Sequence, residues 1–186
     1  HGLMKFGGTL YVPKIVALSI TREMAPIFTS LLVAGRIGSG IAAEIGSMAV
    51  TQQIDALRAL GTSPVRVLVV PRVLAALISL PLLSTLSTLL GILGGLIVCV
   101  SDFGIPPETY FAKVIETIKI RDFAAGFLKA SFFAIIITIV ACYRALKTRD
   151  GTKGVGASTT WVVVTSSILI LVSDFFLSKI FIILFL

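Results

Sequence analysis

The chain has 186 residues, of which 56% are hydrophobic and 13% are charged, and its mean hydropathy is +1.06. A soluble domain of this length cannot bury so much apolar surface, so the composition excludes an ordinary water-soluble protein and indicates an integral membrane protein. The net charge of +7 is distributed over short loops rather than gathered in one basic patch, which argues against a nucleic-acid-binding protein.

Four stretches are long and apolar enough to span a membrane as helices, and they predict an all-α polytopic bundle with a single domain over residues 1–186. They cover residues 13–48, 73–100, 123–143 and 160–186. Basic residues outnumber acidic ones in the loops 51–72 and 144–159, whereas the loop 101–122 carries four acidic against three basic residues. The positive-inside rule therefore predicts that the first two loops are cytoplasmic and the third is external.

The first span carries small residues at every fourth position, in two neighbouring rows. One row is Ala34, Gly38, Ala42 and Gly46, and the other is Gly35, Ser39, Ala43 and Ser47. Small residues at this spacing let another helix backbone approach closely. The approaching helix belongs either to a second copy of the chain or to the bundle of the same subunit.

The segment TQQIDALRALG, residues 51–61, predicts a compact amphipathic helix between the first two spans. Val50, Ile54, Leu57 and Gly61 fall on one side, and Gln52, Asp55 and Ala59 fall on the other. Gly61 and Pro64 are expected to end it.

On the opposite side of the membrane, a proline pair and apolar residues at helical spacing predict a short surface helix around residues 107–118. That helix either docks a partner or is a partly buried loop helix.

Charged residues inside the spans are costly, at about 2.5–3.5 kcal/mol each, so those that persist usually face protein or water. They are Arg22, Glu23, Arg36, Glu44, Lys129 and Asp174. Counting 1.5 Å per residue places Lys129 and Asp174 at one level, ~21–22 Å from the inner surface. We expect these two residues to face one interior cavity, with Glu23 higher on the outer side. The alternative is one buried ion pair that locks two helices together.

No enzyme site can be assembled from the sequence, so no catalytic residue and no metal ligand is predicted. The sole histidine is His1, and no GxxxxGK[ST] phosphate-binding loop is present. Ser131 or Ser178 beside a lysine would formally allow Ser–Lys chemistry in an intramembrane hydrolase. Cys99 and Cys142 are expected near opposite ends of their spans, as packing residues rather than a disulfide.

Two runs carry a recognisable pattern. Residues 21–75 read TREMAPIFTSLLVAGRIGSGIAAEIGSMAVTQQIDALRALGTSPVRVLVVPRVLA, and residues 151–176 read GTKGVGASTTWVVVTSSILILVSDFF. Together they resemble the MlaE (YrbE) family of ABC-transporter permeases, which move lipids with mammalian-cell-entry-domain partners. The resemblance extends over essentially the whole chain and is weakest in the loop 101–122.

The resemblance implies a fold and a set of partners. The family has a five-span core preceded by an interfacial helix, so this chain is expected to lack that helix and the first span. It also implies a second copy of the permease, a cytoplasmic ATPase pair that binds ATP and magnesium, and a periplasmic ring of lipid-carrying domains. The permease itself would bind no cofactor. Its expected location is the bacterial inner membrane, or alternatively the plastid inner envelope.

The resemblance also assigns roles to residues. It implies that residues 51–61 couple the permease to the ATPase, through Gln52, Gln53, Ile54, Asp55 and Leu57. We expect Ile54 and Leu57 to present an apolar ridge to the partner, beside polar contacts from Gln53 and Asp55. The family usually has Glu where this chain has Gln52, and an acid where it has Lys153.

Interior charges of such permeases line a lipid path. Here they are Arg22, Glu23, Lys129 and Asp174, with Lys129 available to a phosphate and Asp174 holding Lys129 or a neighbouring helix in place. The sequence therefore predicts a phospholipid permease subunit. The alternative is a non-transporting membrane scaffold.

Overall fold

The structure is a computed structural model that describes residues 11–185, with the side chains of residues 182, 184 and 185 left out. All its regular elements are helical: α1 Val12–Val50, α2 Gln53–Ala59, α3 Val65–Phe103, α4 Pro107–Thr117, α5 Ile120–Leu146 and α6 Gly151–Phe185. Four of them, α1, α3, α5 and α6, are long and apolar enough to cross a membrane. The predicted all-α membrane fold, including the short helices α2 and α4, is therefore confirmed.

Two helices begin earlier than their apolar stretches. Helix α3 begins at Val65 rather than at residue 73, and α6 begins at Gly151 rather than at residue 160. An apolar window detects only the part of a helix that lies in the hydrocarbon, whereas the backbone hydrogen bonds continue through the polar turns beyond it. Only residues 147–150 remain as the turn between α5 and α6, where Asp150 and Gly151 have positive φ values of 69° and 62°.

The two ends of the bundle differ. At the α2 end, Ile54 packs in a cluster with residues of α1, α3, α5 and α6. At the α4 end, Tyr110 and Val114 pack against Ala17 of α1 and Cys99 of α3. The assignment of the α2 end to the cytoplasm stays a prediction.

The core of the bundle consists of three apolar clusters. The cluster at the α2 end includes Ile41, Ile45, Ile54 and Cys142. The middle cluster is centred on the fully buried Phe133, and the third holds Cys99 at the α4 end. The two cysteines are thus free, buried and far apart, as the sequence predicts. Helix α3 exposes a row of apolar side chains, as expected for a helix in contact with lipid: Leu74, Ile78, Leu82, Leu86 and Leu90.

Helix α1 contains two π-helical turns, Ile20–Met24 and Ala34–Gly38. In the first, the N–H of Ala25 bonds to the carbonyl of Ile20, five residues back. Pro26 follows directly and has no N–H of its own to continue the regular pattern. Such single-turn bulges are frequent at functional sites, and this one carries Arg22 and Glu23.

Candidate functional site

A cluster of charged and polar side chains lies inside the bundle, where α1, α5 and α6 meet. We call Lys129, Glu23, Asp174 and Ser178 the Lys129 cluster. The Lys129 ammonium lies 2.6 Å from Glu23 Oε2, 3.1 Å from Asp174 Oδ1 and 2.7 Å from Ser178 Oγ. Its side chain is 1% exposed, whereas the Glu23 side chain is 41% exposed. The ammonium is therefore enclosed by two carboxylates and a hydroxyl, and Glu23 forms the open edge of the cluster.

Each member of the Lys129 cluster has a defined contact. Lys129 donates hydrogen bonds to Glu23 and Ser178. Its approach to Asp174 Oδ1 is an ion-pair contact without hydrogen-bond alignment, so this buried oxygen has no hydrogen-bond partner among the described residues. The Ser178 hydroxyl lies within hydrogen-bond distance of both Glu23 carboxylate oxygens and of the Asp174 carbonyl.

A second ion pair lies about two helical turns away along α5. The Arg22 guanidinium donates from Nε to Asp122 Oδ1 at 2.6 Å, and its Nη2 also contacts that oxygen. Asp122 is buried, and its other oxygen accepts from the backbone N–H of Lys119 at 2.9 Å, where α5 begins. On one face of α5, Asp122 pairs with Arg22 and Lys129 pairs with Glu23. The π turn of α1 is therefore held by two ion pairs, in one of which it supplies the cation and in the other the anion.

A close backbone approach separates these two ion pairs. Gly126 lies on the α5 face between Asp122 and Lys129, and a Cβ atom added there would lie 2.5 Å from the carbonyl oxygen of Thr21. No side chain fits at that distance, so only glycine permits this crossing of α1 and α5. The crossing fixes the height of the π turn relative to Lys129.

The sequence predictions for these charges have mixed outcomes. Lys129 and Asp174 share a level, as residue counting predicts, and they are in contact as the ion-pair alternative requires. Glu23 contacts the same ammonium, and both its carboxylate oxygens also face Ser178, which lies one turn further from the α2 end than Asp174. The expected position of Glu23 nearer the outer side stays a prediction. A role of Arg22, Glu23, Lys129 and Asp174 in a lipid path stays a prediction.

Two contacts of the site were not predicted. Ser178 was considered only for Ser–Lys chemistry, and its place beside Glu23 and Asp174 was not expected. It follows Asp174 by four residues and so lies on the same helical face, and this spacing is the signal that could have indicated the contact. Asp122 lies at the start of α5, and the sequence analysis counted it as a loop acid. Of the remaining span charges, Glu44 pairs with Arg72 at 2.7 Å, whereas the guanidinium of Arg36 has no ion-pair partner within residues 11–185.

Helix α2 presents a different surface from the one expected. Ile54 is 3% exposed and packs in the cluster at the α2 end, and Leu57 is half-buried against that cluster. The expected apolar ridge for a partner is therefore wrong for Ile54, since burial against α1, α3 and α5 uses that side of the helix. The exposed residues in and beside α2 are Gln52, Gln53, Asp55, Ala56, Arg58, Ala59 and Leu60. Asp55 is paired with Arg58 at 2.9 Å, and Leu60, at 79% exposed, is a large apolar side chain on this surface that the sequence pattern did not indicate. The ATPase-coupling role of α2 stays a prediction.

The two small-residue rows of α1 have separate environments. Ala34, Gly38, Ala42 and Gly46 are all buried. A Cβ atom at Gly38 would lie 3.2 Å from Ile137 of α5 and 3.6 Å from Val162 of α6, so this row packs inside one subunit. In the other row Gly35 and Ser47 are exposed, and a Cβ atom at Gly35 would meet nothing within 4 Å.

Helix α4 packs against α1 and α3 at the end of the bundle opposite α2. The Tyr110 hydroxyl donates to the Ile92 carbonyl at 2.8 Å, and burial raises the pKa of Tyr110. Glu116 is paired with Lys113 at 2.9 Å and with Lys14 at 3.0 Å, and hydrogen bonds from these lysines lower the pKa of Glu116. The helix is thus the partly buried surface helix of the second alternative, although Phe111 and Ile115 remain exposed. A docking role for it is untested.

Within the described part of the chain, no group of three or more His, Cys, Asp or Glu side chains is placed to hold a metal ion.

Comparison with known proteins identifies the family. Residues 1–180 match the family model described as "Permease MlaE". A probable ABC transporter permease protein of Rickettsia bellii is 41% identical over 180 residues, which are 97% of this chain and 70% of the relative. A probable ABC transporter permease protein of Synechocystis sp. is 45% identical over 173 residues, covering 93% of this chain and 66% of the relative. The chloroplastic protein TRIGALACTOSYLDIACYLGLYCEROL 1 of Arabidopsis thaliana is 36% identical over 167 residues, covering 90% of this chain and 48% of the relative. This four-helix membrane bundle therefore belongs to the MlaE permease family and is an ABC-transporter permease.

Proposed function

We propose that this permease subunit moves phospholipid-type molecules between the membrane and a periplasmic carrier protein with mammalian-cell-entry domains. A separate ATPase subunit, which binds ATP and magnesium, hydrolyses the nucleotide, since the chain has no phosphate-binding loop of its own. A lipid substrate is supported by the family and by the Arabidopsis relative, whose name is that of a glycolipid.

The observation that carries the proposal is the buried Lys129 ammonium inside a membrane bundle. A cation at such a depth is retained only where it pairs with other groups, and a lipid phosphate, like the carboxylates that now surround it, offers anionic oxygens that accept hydrogen bonds from an ammonium. In the proposed cycle Lys129 exchanges Glu23 and Asp174 for a lipid phosphate. The exchange requires α1 or α6 to move away from α5, and the present arrangement is the closed one. A movement of α1 also releases Arg22 from Asp122, whereas a movement of α6 leaves that pair intact.

The proposed cycle also uses two contacts with other chains. A second copy of the permease covers the exposed row of α1, where Gly35 permits close approach and Arg36 has an unpaired guanidinium at membrane depth. The ATPase subunit binds the exposed polar side of α2, while Ile54 anchors α2 to the bundle. A bacterial inner membrane, or a plastid envelope as for the Arabidopsis relative, provides the location.

The proposal is tested by mass spectrometry of the lipid that the purified complex of full-length permease and ATPase retains. Lys129→Ala removes the ammonium, and Lys179→Ala is the matched control, because Lys179 is an exposed lysine of α6 outside the Lys129 cluster. We expect Lys129→Ala to lose the bound phospholipid and ATP-driven lipid transfer, with the control unchanged. Equal lipid content and transfer in both variants would refute a phosphate-binding role.

The second candidate is a membrane scaffold, and the enclosure of Lys129 by two carboxylates favours it, since such a cluster could serve only to lock α1, α5 and α6. A scaffold transfers no lipid and need not co-purify with an ATPase or stimulate its hydrolysis, so these measurements on the unmodified protein distinguish the two candidates. Exchanging the charges of Lys129 and Asp174 then tests the role of the pair. Full lipid transfer by the exchanged protein supports a structural lock within a permease, whereas a folded but inactive protein supports a lipid path.

A further inference from the structure

A polar cleft of about 430 Å³ opens at the α2 end of the bundle, between α2 and the turn at residues 147–150. We call it the α2 cleft. Gln52, Asp55 and Arg58 of α2 form its first wall, and Arg149 and Asp150 of the turn form its second. Apolar residues of α1, α2 and α5 form its floor. The second wall lies outside the segment to which the sequence assigns ATPase coupling.

Both walls are held in a fixed conformation. Gln52 and Asp150 have positive φ values of 60° and 69°, which residues with a side chain rarely adopt unless the surrounding structure imposes it. Thr148 is buried beside them, with its hydroxyl 2.9 Å from Ser158 Oγ of α6. It packs against Gly46 of α1, where a Cβ atom would lie 3.4 Å from the threonine hydroxyl oxygen. A force on the turn therefore reaches α5, α6 and α1 without an intervening flexible segment.

The charge of the cleft indicates what it binds. Asp55 of the first wall is already neutralised by Arg58. On the second wall, Arg149 is exposed and has no ion-pair partner in the part of the chain that the structure describes. Residues 144–153 together contain four basic residues against one acid. An unpaired arginine in a basic surface favours a carboxylate from a partner.

We propose that the ATPase subunit inserts an acidic side chain into the α2 cleft and pairs it with Arg149, so that the partner contacts both walls. This inference rests on the proposed function, because it needs an ATPase partner at this end of the bundle. The two-wall contact gives the ATPase separate connections to the helices around the Lys129 cluster. Ile54 of α2 packs among α1, α3, α5 and α6, whereas the turn joins α5 directly to α6. Opening the cluster requires these helices to move relative to one another, and a partner that holds both walls acts on them at two separate points.

The test uses full-length permease in lipid nanodiscs with the ATPase subunit that co-purifies with the unmodified protein. Arg149→Glu reverses the charge of the second wall. Arg66→Glu is the matched control, because Arg66 is an exposed arginine at the same end of the bundle and does not line the cleft. We expect Arg149→Glu to weaken ATPase binding about tenfold and to reduce permease-stimulated ATP hydrolysis. Arg66→Glu should change neither. Arg149→Gln should also reduce the salt dependence of binding, which a merely structural role would not alter.

A third variant separates this inference from the proposed function. Ile54→Asp places a charge in the cluster at the α2 end and detaches α2. If Ile54→Asp abolishes stimulated hydrolysis while Arg149→Glu behaves like Arg66→Glu, the proposed contact between the ATPase and Arg149 is refuted and the proposed function stands. If all three variants bind and stimulate normally, both proposals fail. Thermal unfolding checks that Arg149→Glu is folded, and if it is not, Arg149→Gln decides by the same comparison of binding with Arg66→Glu.

Discussion

Replacing Lys129 by methionine tests the energetics of the Lys129 cluster. Methionine has a similar length and fills the space, but it leaves the carboxylates of Glu23 and Asp174 without their cation. Removing one partner of a buried ion pair costs about 3–5 kcal/mol, because the remaining charge is buried and uncompensated. The Asp174 side chain is only 14% exposed, so solvent relieves little of that cost there. For a chain of this size, 1 kcal/mol corresponds to ~2–4 °C, so we expect Tm to fall by ~6–20 °C.

The measurement is thermal unfolding of the full-length permease in detergent micelles at pH 7, followed by circular dichroism. Lys113→Met is the control, since its partner Glu116 has a side chain that is 55% exposed and such exposed pairs contribute little to stability. Adding Asp174→Asn to Lys129→Met should recover much of the lost stability, because it removes the uncompensated charge. A Tm decrease for Lys129→Met no larger than that of Lys113→Met would show that the cluster is well solvated and would refute the reasoning.

Three further variants test the packing around the site. Gly126→Ala puts a Cβ atom 2.5 Å from the Thr21 carbonyl and should cost ~1–3 kcal/mol in unfolding free energy, whereas Gly94→Ala meets nothing within 4 Å and should cost none. A decrease in unfolding free energy in both variants, or in neither, would contradict the close approach of α1 and α5 at Gly126. Tyr110→Phe removes a buried hydrogen bond to α3 and should cost ~0.5–1.5 kcal/mol, measured by urea unfolding; an unchanged midpoint would contradict that bond. The folded-state pKa of Glu116 lies below the ordinary value of 4.5, so the stability it contributes is fully present above pH 4.5 and is lost as the pH falls through the lowered pKa. Glu116→Gln should therefore flatten the acid limb of the unfolding profile, and an identical limb would exclude the contribution.

The level of Lys129 and Asp174 was predictable because both lie on regular helices, in which the rise per residue is constant. Counting residues was therefore sufficient to predict that Lys129 and Asp174 lie at the same level. The count did not predict that Glu23 contacts the same ammonium, because long glutamate and lysine side chains can meet from different levels of their helices. Ser178 was considered only as a partner of a lysine in Ser–Lys chemistry, because a serine in a membrane span has no pattern that indicates a carboxylate neighbour.

The amphipathic pattern of residues 51–61 predicted helix α2 but not the environment of its apolar side. A periodic pattern shows that one side is buried, and it cannot distinguish burial in the same chain from burial against a partner. Ile54 is buried within the same chain. The early start of α6 and the reversal at Asp150 were also beyond the sequence, since hydropathy does not detect helix outside the hydrocarbon. That omission concealed the second wall of the α2 cleft.

The most direct test of lipid transport measures the rate at which labelled phospholipid leaves proteoliposomes that contain the full-length permease and its ATPase, with and without ATP. A lipid permease with Lys129 on its path requires an ATP-dependent rate in the unmodified protein and in Lys179→Ala, and its loss in Lys129→Ala. An ATP-independent rate in all three proteins, or an undiminished rate in Lys129→Ala, would contradict that function.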